Sequence, residues 1–264
     1  MRKWVGGRQV NGLSSNGFTI LNEPYESTIE FKIRDMRRDK TGQIRARIEE
    51  FVDNSLTHWA SLLSSLIISA ESTVCYDGQY YFDTDHSEGS SGSQDNDIGV
   101  DISGLPAAVH GVPTAPSVEE FQQSILKGIA QILSFKNDKG QPMNENAQEF
   151  LVIVPTILYF IAVAAVSSIL TAAMAQNLNP NMIAGLKVSV QMNPRLTWTD
   201  KFAIFRTDSP IKGLIRQSEQ ENEVMVKDET SEYAMDNKAI QIGIDNSRGV
   251  GFGYWQRACL VTMY

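Results

Sequence analysis

The chain reads as an α+β protein. Three observations predict that class: a long stretch of helical periodicity between residues 41 and 70, an uncharged run at 151–175 that Pro155 divides into strand and helix, and a succession of short strand-like runs after residue 186. At 264 residues it is long enough to bury a sizeable core. Its 42% hydrophobic and 20% charged content are ordinary for a folded protein.

Residues 1–17 carry Gly6, Gly7 and Gly12 without a clean period and read as an extended arm, in which Trp4 is an aromatic that wants a surface to cover it. Residues 18–40 alternate at Phe18, Ile20 and Tyr25 and again at Ile29, Phe31 and Ile33, with Asn22-Glu23-Pro24 between. That pattern predicts two strands of a hairpin, ended by the charged run Arg34–Lys40. A two-stranded hairpin is not independently stable in water, so this one is expected to lie against something else.

From Thr41 to Ala70 the apolar positions Ile44, Ile48, Phe51, Val52, Trp59, Leu62, Leu63, Leu66 and Ile67 recur at steps of three and four. They predict an amphipathic helix of roughly 40 Å at about 1.5 Å per residue, with Thr41 as its cap. Such a length suits a strut better than a core element. Next, Val74–Tyr76 and Tyr80–Phe82 favour pleated backbone on either side of Asp77-Gly78, a dipeptide that supplies the positive φ of a tight reversal.

Residues 84–116 are rich in Gly, Ser, Asp and Pro and read as a surface excursion. A second helix is expected from Val118 to Phe135, capped by Ser117, with Phe121, Ile125, Ile129, Ile132 and Leu133 on one face. The run 151–175 is long enough to cross a bilayer, so a membrane-anchored protein with one span there is the alternative reading. Against it, Pro155 splits the run into a buried strand and a buried helix, and no Lys/Arg cluster or Trp belt flanks it. Strands are then expected at Leu186–Met192, Lys201–Arg206, Gly213–Arg216, Glu223–Val226, Ala239–Ile244 and Gly253–Leu260.

The net charge of −8 argues against a chain whose main task is to grip nucleic acid, because that affinity comes from many Lys and Arg facing phosphates. The charge is uneven: residues 1–47 carry a surplus of about +5 and the rest about −13. A basic arm on an acidic body suits docking onto further copies of the same body. Two cysteines, Cys75 and Cys259, and the lack of a secretory leader fit a reducing intracellular setting.

No catalytic constellation stands out. Cys75, His86 and Asp83 can be drawn as nucleophile, base and orienter, yet strand-borne thiols are usually inert and no activating motif surrounds this one. His58, beside Trp59 on the long helix, reads as a packed or surface imidazole. Asp83-x-Asp85 followed by Glu88 and Gly89 lacks the spacing of a calcium loop. No metal or cofactor site is expected, and the chain does not read as an enzyme.

Several separated motifs occur in the order of the Mu-like tailed-phage major head subunit. Trp4-Val5-Gly6 resembles that family's opening; Tyr25-Glu26-Ser27-Thr28 and Ile33-Arg34-Asp35-Met36 resemble its next segments; Cys75 to His86 is close to its full signature. Leu151–Pro155, Phe205-Arg206-Thr207-Asp208, Pro210-Ile211-Lys212 and Gly251–Gln256 follow in the same order. The resemblance implies the Hong Kong 97 capsid fold, with an N-terminal arm at 1–17, an extended hairpin loop at 18–40, a peripheral domain with the spine helix at 41–149, an axial domain at 150–225 and a return to the peripheral domain at 226–264.

It further implies a shell-forming subunit of the virion, assembled in the bacterial host cytoplasm as pentamers and hexamers around double-stranded DNA. Partners are then other copies of itself, a portal and decoration proteins, with packaged DNA met only by non-specific proximity and no membrane. Trp4, Phe18, Ile29, Phe31, Arg34, Arg37 and Arg38 are the expected intersubunit contacts.

Overall fold

In the computed structural model the described residues are 19–106, 108–175, 182–183 and 186–264. They form two sheets and three substantial helices. A three-stranded antiparallel sheet runs in the order β1 (Glu23–Lys32), β8 (Ala239–Phe252), β7 (Leu214–Lys227). A six-stranded mixed sheet runs β2 (Asp97–Val100), β9 (Ala258–Met263), β6 (Lys201–Arg206), β3 (Glu149–Val154), β5 (Leu186–Met192), β4 (Met182–Ile183).

The N-terminal hairpin expected at 18–40 is replaced by one strand and a short helix, α1 (Ile33–Arg38). The strand finds its partner far away in sequence. All ten residues of β1 pair with β8, Ser27 opposite Ile244, Ile29 opposite Ile242 and Phe31 opposite Ile240. Tyr25, Ser27, Phe51, Asn54, His58 and Ile244 line one groove, so this face of the sheet is turned toward α2 (Gln43–Ser69). A ten-residue ladder on β8, with Ile240, Ile242 and Ile244 opposite Phe31, Ile29 and Ser27, outweighs a local return through a two-stranded hairpin.

The helix α2 occupies nearly the expected span but is not capped by Thr41. Its N-cap is Gly42, at φ 73°, and the Asp39 carboxylate accepts from the backbone N–H of Thr41, Gly42 and Ile44 at 3.0, 2.9 and 2.9 Å. The Ile44 amide, first among these donors, holds Asp39 down at about 2.

Helix α3 (Val118–Ser134) starts at Ser117, as the sequence predicts, in a full capping box with Glu120. Phe121, Ile125, Ile129 and Ile132 are buried in the main core, which also holds Tyr81, Phe82, Phe150, Phe202 and Trp255. Gly128 lets α3 lie close on the large sheet, since a Cβ there would come 2.6 Å from Ile204 Cδ1 and 2.8 Å from Val261 Cγ2.

The uncharged run behaves as strand then helix. β3 lies inside the six-stranded sheet between β6 and β5, with Val152 and Val154 fully buried, and after Pro155 a 3₁₀ turn leads into α4 (Tyr159–Ala175), where Ala162 and Ala165 are buried. Among the described residues no helix is long and apolar enough to cross a membrane, and the run expected as a single span is divided between a sheet strand and a helix, which does not favour that alternative.

Other expectations shift. The two aromatic strand halves around Asp77-Gly78 reduce to one bridge, Val74 to Tyr80, because Tyr81 and Phe82 leave the ladder for the core; the reversal itself is present, with Gly78 at φ 90°. The excursion 84–116 is anchored: it contains β2, which pairs in parallel with β9, and Val100, Ile102 and Leu105 are buried. The strands expected at 213–216 and 223–226 are one strand, β7, with irregularities between Ser218 and Gln220 and between Gln220 and Glu223. The last strand begins only at Ala258, after a 3₁₀ turn at Trp255–Arg257. The expected boundaries at 149/150 and 225/226 fall inside β3 and β7.

Candidate assembly surface

Outward-facing chemistry collects on the three-stranded sheet and α1. Arg34, Arg37 and Arg38 share the six residues of α1, all exposed. Arg37 Nη2 donates to Glu229 Oε2 at 2.9 Å, and Arg34 Nε lies 3.6 Å from Asp35 Oδ1. Ile29 and Phe31 are half-buried, on the α2 side of the sheet by strand alternation from Tyr25 and Ser27. Trp4 and Phe18 lie outside the described residues.

One feature escaped the reading of sequence. β1 and β7 are both edges of their sheet, and β7 exposes three consecutive apolar residues, Val224, Met225 and Val226, each more than half accessible at 58%, 52% and 56%. Glu219, Glu221 and Glu223 precede them on the same exposed strand. The signal was present as an apolar triplet between Glu223 and Lys227 that breaks strand alternation, a pattern a half-buried strand does not need.

The Cys75, His86 and Asp83 grouping does not form as drawn. Asp83 caps its own turn, accepting from the backbone of Tyr80 at 3.2 Å and Thr84 at 2.7 Å. Asp77, read as a turn residue, is the hub: Cys75 Sγ donates to its Oδ1 at 2.9 Å, and His86 Nδ1 lies 2.7 Å from its Oδ2. Burial, and then the Asp77 carboxylate, push the Cys75 thiol up to about 12, so it is a poor nucleophile. His86 is fully buried and stacks on Trp255 at 4.1 Å and 9°. One donor atom of each of these three side chains lies within 4.8 Å of the other two.

Of the other candidates, His58 packs edge-on against Tyr25 at 4.5 Å and is held low by burial and by Arg248. Asp85 accepts from Gln79 Nε2 and Glu88 from the Tyr76 hydroxyl, and the two do not converge as a calcium loop would require. Asp97, beside the Lys201–Glu71 pair, is raised to about 6 by burial and then by Glu71.

Comparison with known proteins places this geometry. Residues 1–105 match the family described as Mu-like prophage major head subunit gpT. The Mu-like prophage FluMu major head subunit of Haemophilus influenzae is 31% identical over 91 residues, 34% of this chain and 30% of that protein. The match thus spans less than a third of that relative's length.

In three dimensions the chain is similar to a chain of the capsid structure of Cyanophage P-SCSP1u, with a TM-score of 0.57 and 9% identity over 98% of this chain and 80% of that one. It is also similar to a chain of the bacteriophage JBD30 procapsid, with a TM-score of 0.50 and 18% identity over 100% of this chain and 59% of that one. Together these matches make residues 1–105 similar to the Mu-like major head subunit and give the chain as a whole the fold seen in phage capsids.

Proposed function

We propose that this chain is a major capsid protein that self-assembles into pentamers and hexamers, forming the icosahedral head shell around packaged double-stranded DNA. The observation that carries the reading is a capsid fold spread over essentially the whole chain, joined to head-subunit sequence in its first 105 residues. The chain is a structural component of the virion and not an enzyme, assembled in the bacterial host cytoplasm. A portal and decoration proteins are its further partners, and the acidic body keeps DNA from adhering to the wall.

The finer architecture we assign is that of Hong Kong 97: residues 1–17 as the arm, the β1 region as the loop that reaches a neighbour, α2 as the spine, the three-stranded sheet with α2 as the peripheral part and the six-stranded sheet as the axial part. Two exposed edge strands support it, since an edge left open in one subunit is a surface for another. Charge supports it too: arginines on α1 of one copy meet the acidic β7 of the next. Trp4, Phe18, Ile29, Phe31, Arg34, Arg37 and Arg38 are the contacts proposed, with Arg34 and Arg38 the most available.

The test is a charge reversal that spares the ladder of β1 with β8. The double variant Arg34→Glu, Arg38→Glu is expected to fold with an unchanged circular dichroism spectrum and to yield at least about tenfold fewer particles on sedimentation. Wild-type particle yield from that variant rejects the role of α1 in assembly.

A further inference from the structure

The segment Val74–His86 carries side chains to which the proposed function gives no role. The Sγ of Cys75, a carboxylate oxygen of Asp77 and a ring nitrogen of His86 all lie within 4.8 Å of one another. Cys75 and Asp77 stand at the entry and the apex of a tight turn, and His86, stacked on Trp255, stands at the start of the excursion. We propose that Cys75, Asp77 and His86 form a binding site for a thiophilic divalent cation of the zinc type, with water in the fourth position.

The donor set selects the ion. One thiolate, one imidazole and one carboxylate suit zinc or cobalt, whereas calcium and magnesium take oxygen donors in larger number. A thiolate and a carboxylate bring two negative charges, which a dication neutralises, so the bound site buries no net charge.

The geometry is close. Tetrahedral bonds of about 2.3 Å to sulfur and about 2.0 Å to nitrogen and oxygen put neighbouring donor atoms about 3.3–3.5 Å apart. The present contacts of 2.9 and 2.7 Å are hydrogen bonds that end on the two different oxygens of Asp77. Loading a cation turns one carboxylate oxygen between Sγ and the imidazole in place of the two protons, with one donor atom of each side chain already within 4.8 Å of the others.

The proton balance is simple. The Cys75 proton leaves to solvent through the half-exposed side of the residue, and the His86 proton sits on Nε2 once Nδ1 takes the metal. Nε2 is buried without a hydrogen-bond partner, so one unpaired acceptor becomes one unpaired donor and that cost is present in both states. His86 is held flat on Trp255, which fixes the ring plane as a second-shell contact does in established metal sites. A bound ion would staple the turn to the excursion that carries β2.

The experiment uses Co²⁺ alone, added to the purified full chain in a non-chelating reductant. The expected result is one equivalent bound, with thiolate-to-cobalt charge-transfer absorption, quenching of part of the tryptophan emission, and displacement by Zn²⁺. Cys75→Ser abolishes the charge-transfer band, Cys259→Ser leaves it, and Asp77→Asn weakens binding at least about tenfold. Absence of the band in the wild type at tenfold excess of Co²⁺ overturns the proposal, as does an unchanged band in Cys75→Ser. Should that variant not fold, alkylation of the wild type decides: Zn²⁺ shields Cys75 from a thiol reagent if the site exists, and an unchanged labelling rate rejects it.

Discussion

Arg248 of β8 lies over the indole of Trp59 in α2, its guanidinium carbon 4.7 Å from the ring centroid. Arg216 of β7 approaches the same ring at 5.4 Å. Two strands of the small sheet are thereby fastened to the middle of the long helix by one aromatic. Arg248 is almost wholly buried and two of its nitrogens, Nε and Nη1, have no hydrogen-bond partner, so the ring face is a principal compensation for its charge.

Trp59→Ala is expected to destabilise the chain by about 2–3 kcal/mol, through lost burial and an uncompensated guanidinium. Trp59→Phe, which keeps a ring, costs about 1 kcal/mol. Urea unfolding followed by circular dichroism measures both, and equal losses from the two variants would show that the cation–π contact contributes nothing.

Glu120 predicts an acid limb of stability. Burial opposes its ionisation, but the backbone amides of Ser117, Gly111, Val109 and His110, at 2.6–2.8 Å, outweigh it and hold the carboxylate at about 2. A carboxylate depressed in the folded state contributes stability that is complete above its ordinary value near 4.5 and is lost as pH falls toward about 2. Glu120→Gln is expected to cost about 2–3 kcal/mol at neutral pH and to flatten the loss between about pH 4.5 and 2, read from melting midpoints across that range.

Asp97 has the opposite sign. Its folded value of about 6 lies above the ordinary carboxylate value of 3.8, so its contribution to stability declines as pH rises between those two values. Asp97→Asn is expected to stabilise the chain by about 1 kcal/mol at pH 7, solvent on its open side screening much of the shift. The gain should vanish near pH 4; a variant equally stabilised at both pH values would contradict this.

Gly128→Val tests the packing of α3 on the large sheet. The added methyls meet Ile204 and Val261, and a loss of about 2–3 kcal/mol is expected in thermal or urea unfolding. An unchanged midpoint would mean the helix can stand off without penalty.

What was legible in the sequence was local. Helix α3 announces itself through Ser117, Glu120 and four apolar residues on one face, and β3 with α4 through the position of Pro155. What was not legible is decided at long range. β1 pairs with a strand more than two hundred residues later, and β2 becomes a strand only because β9 offers a parallel partner. Asp77 likewise looked like a turn residue because its partner His86 reaches it only after the chain reverses. The long helix was visible, but the arginines that clasp it come from the last third of the chain.

The proposed function is collective, a shell closed by many copies of this chain. Electron microscopy of the purified chain, with sedimentation velocity on the same sample, tests it most directly. Closed, uniform particles built from pentamers and hexamers are the result expected. A monodisperse single subunit at high protein concentration, under every ionic strength tried, would contradict it.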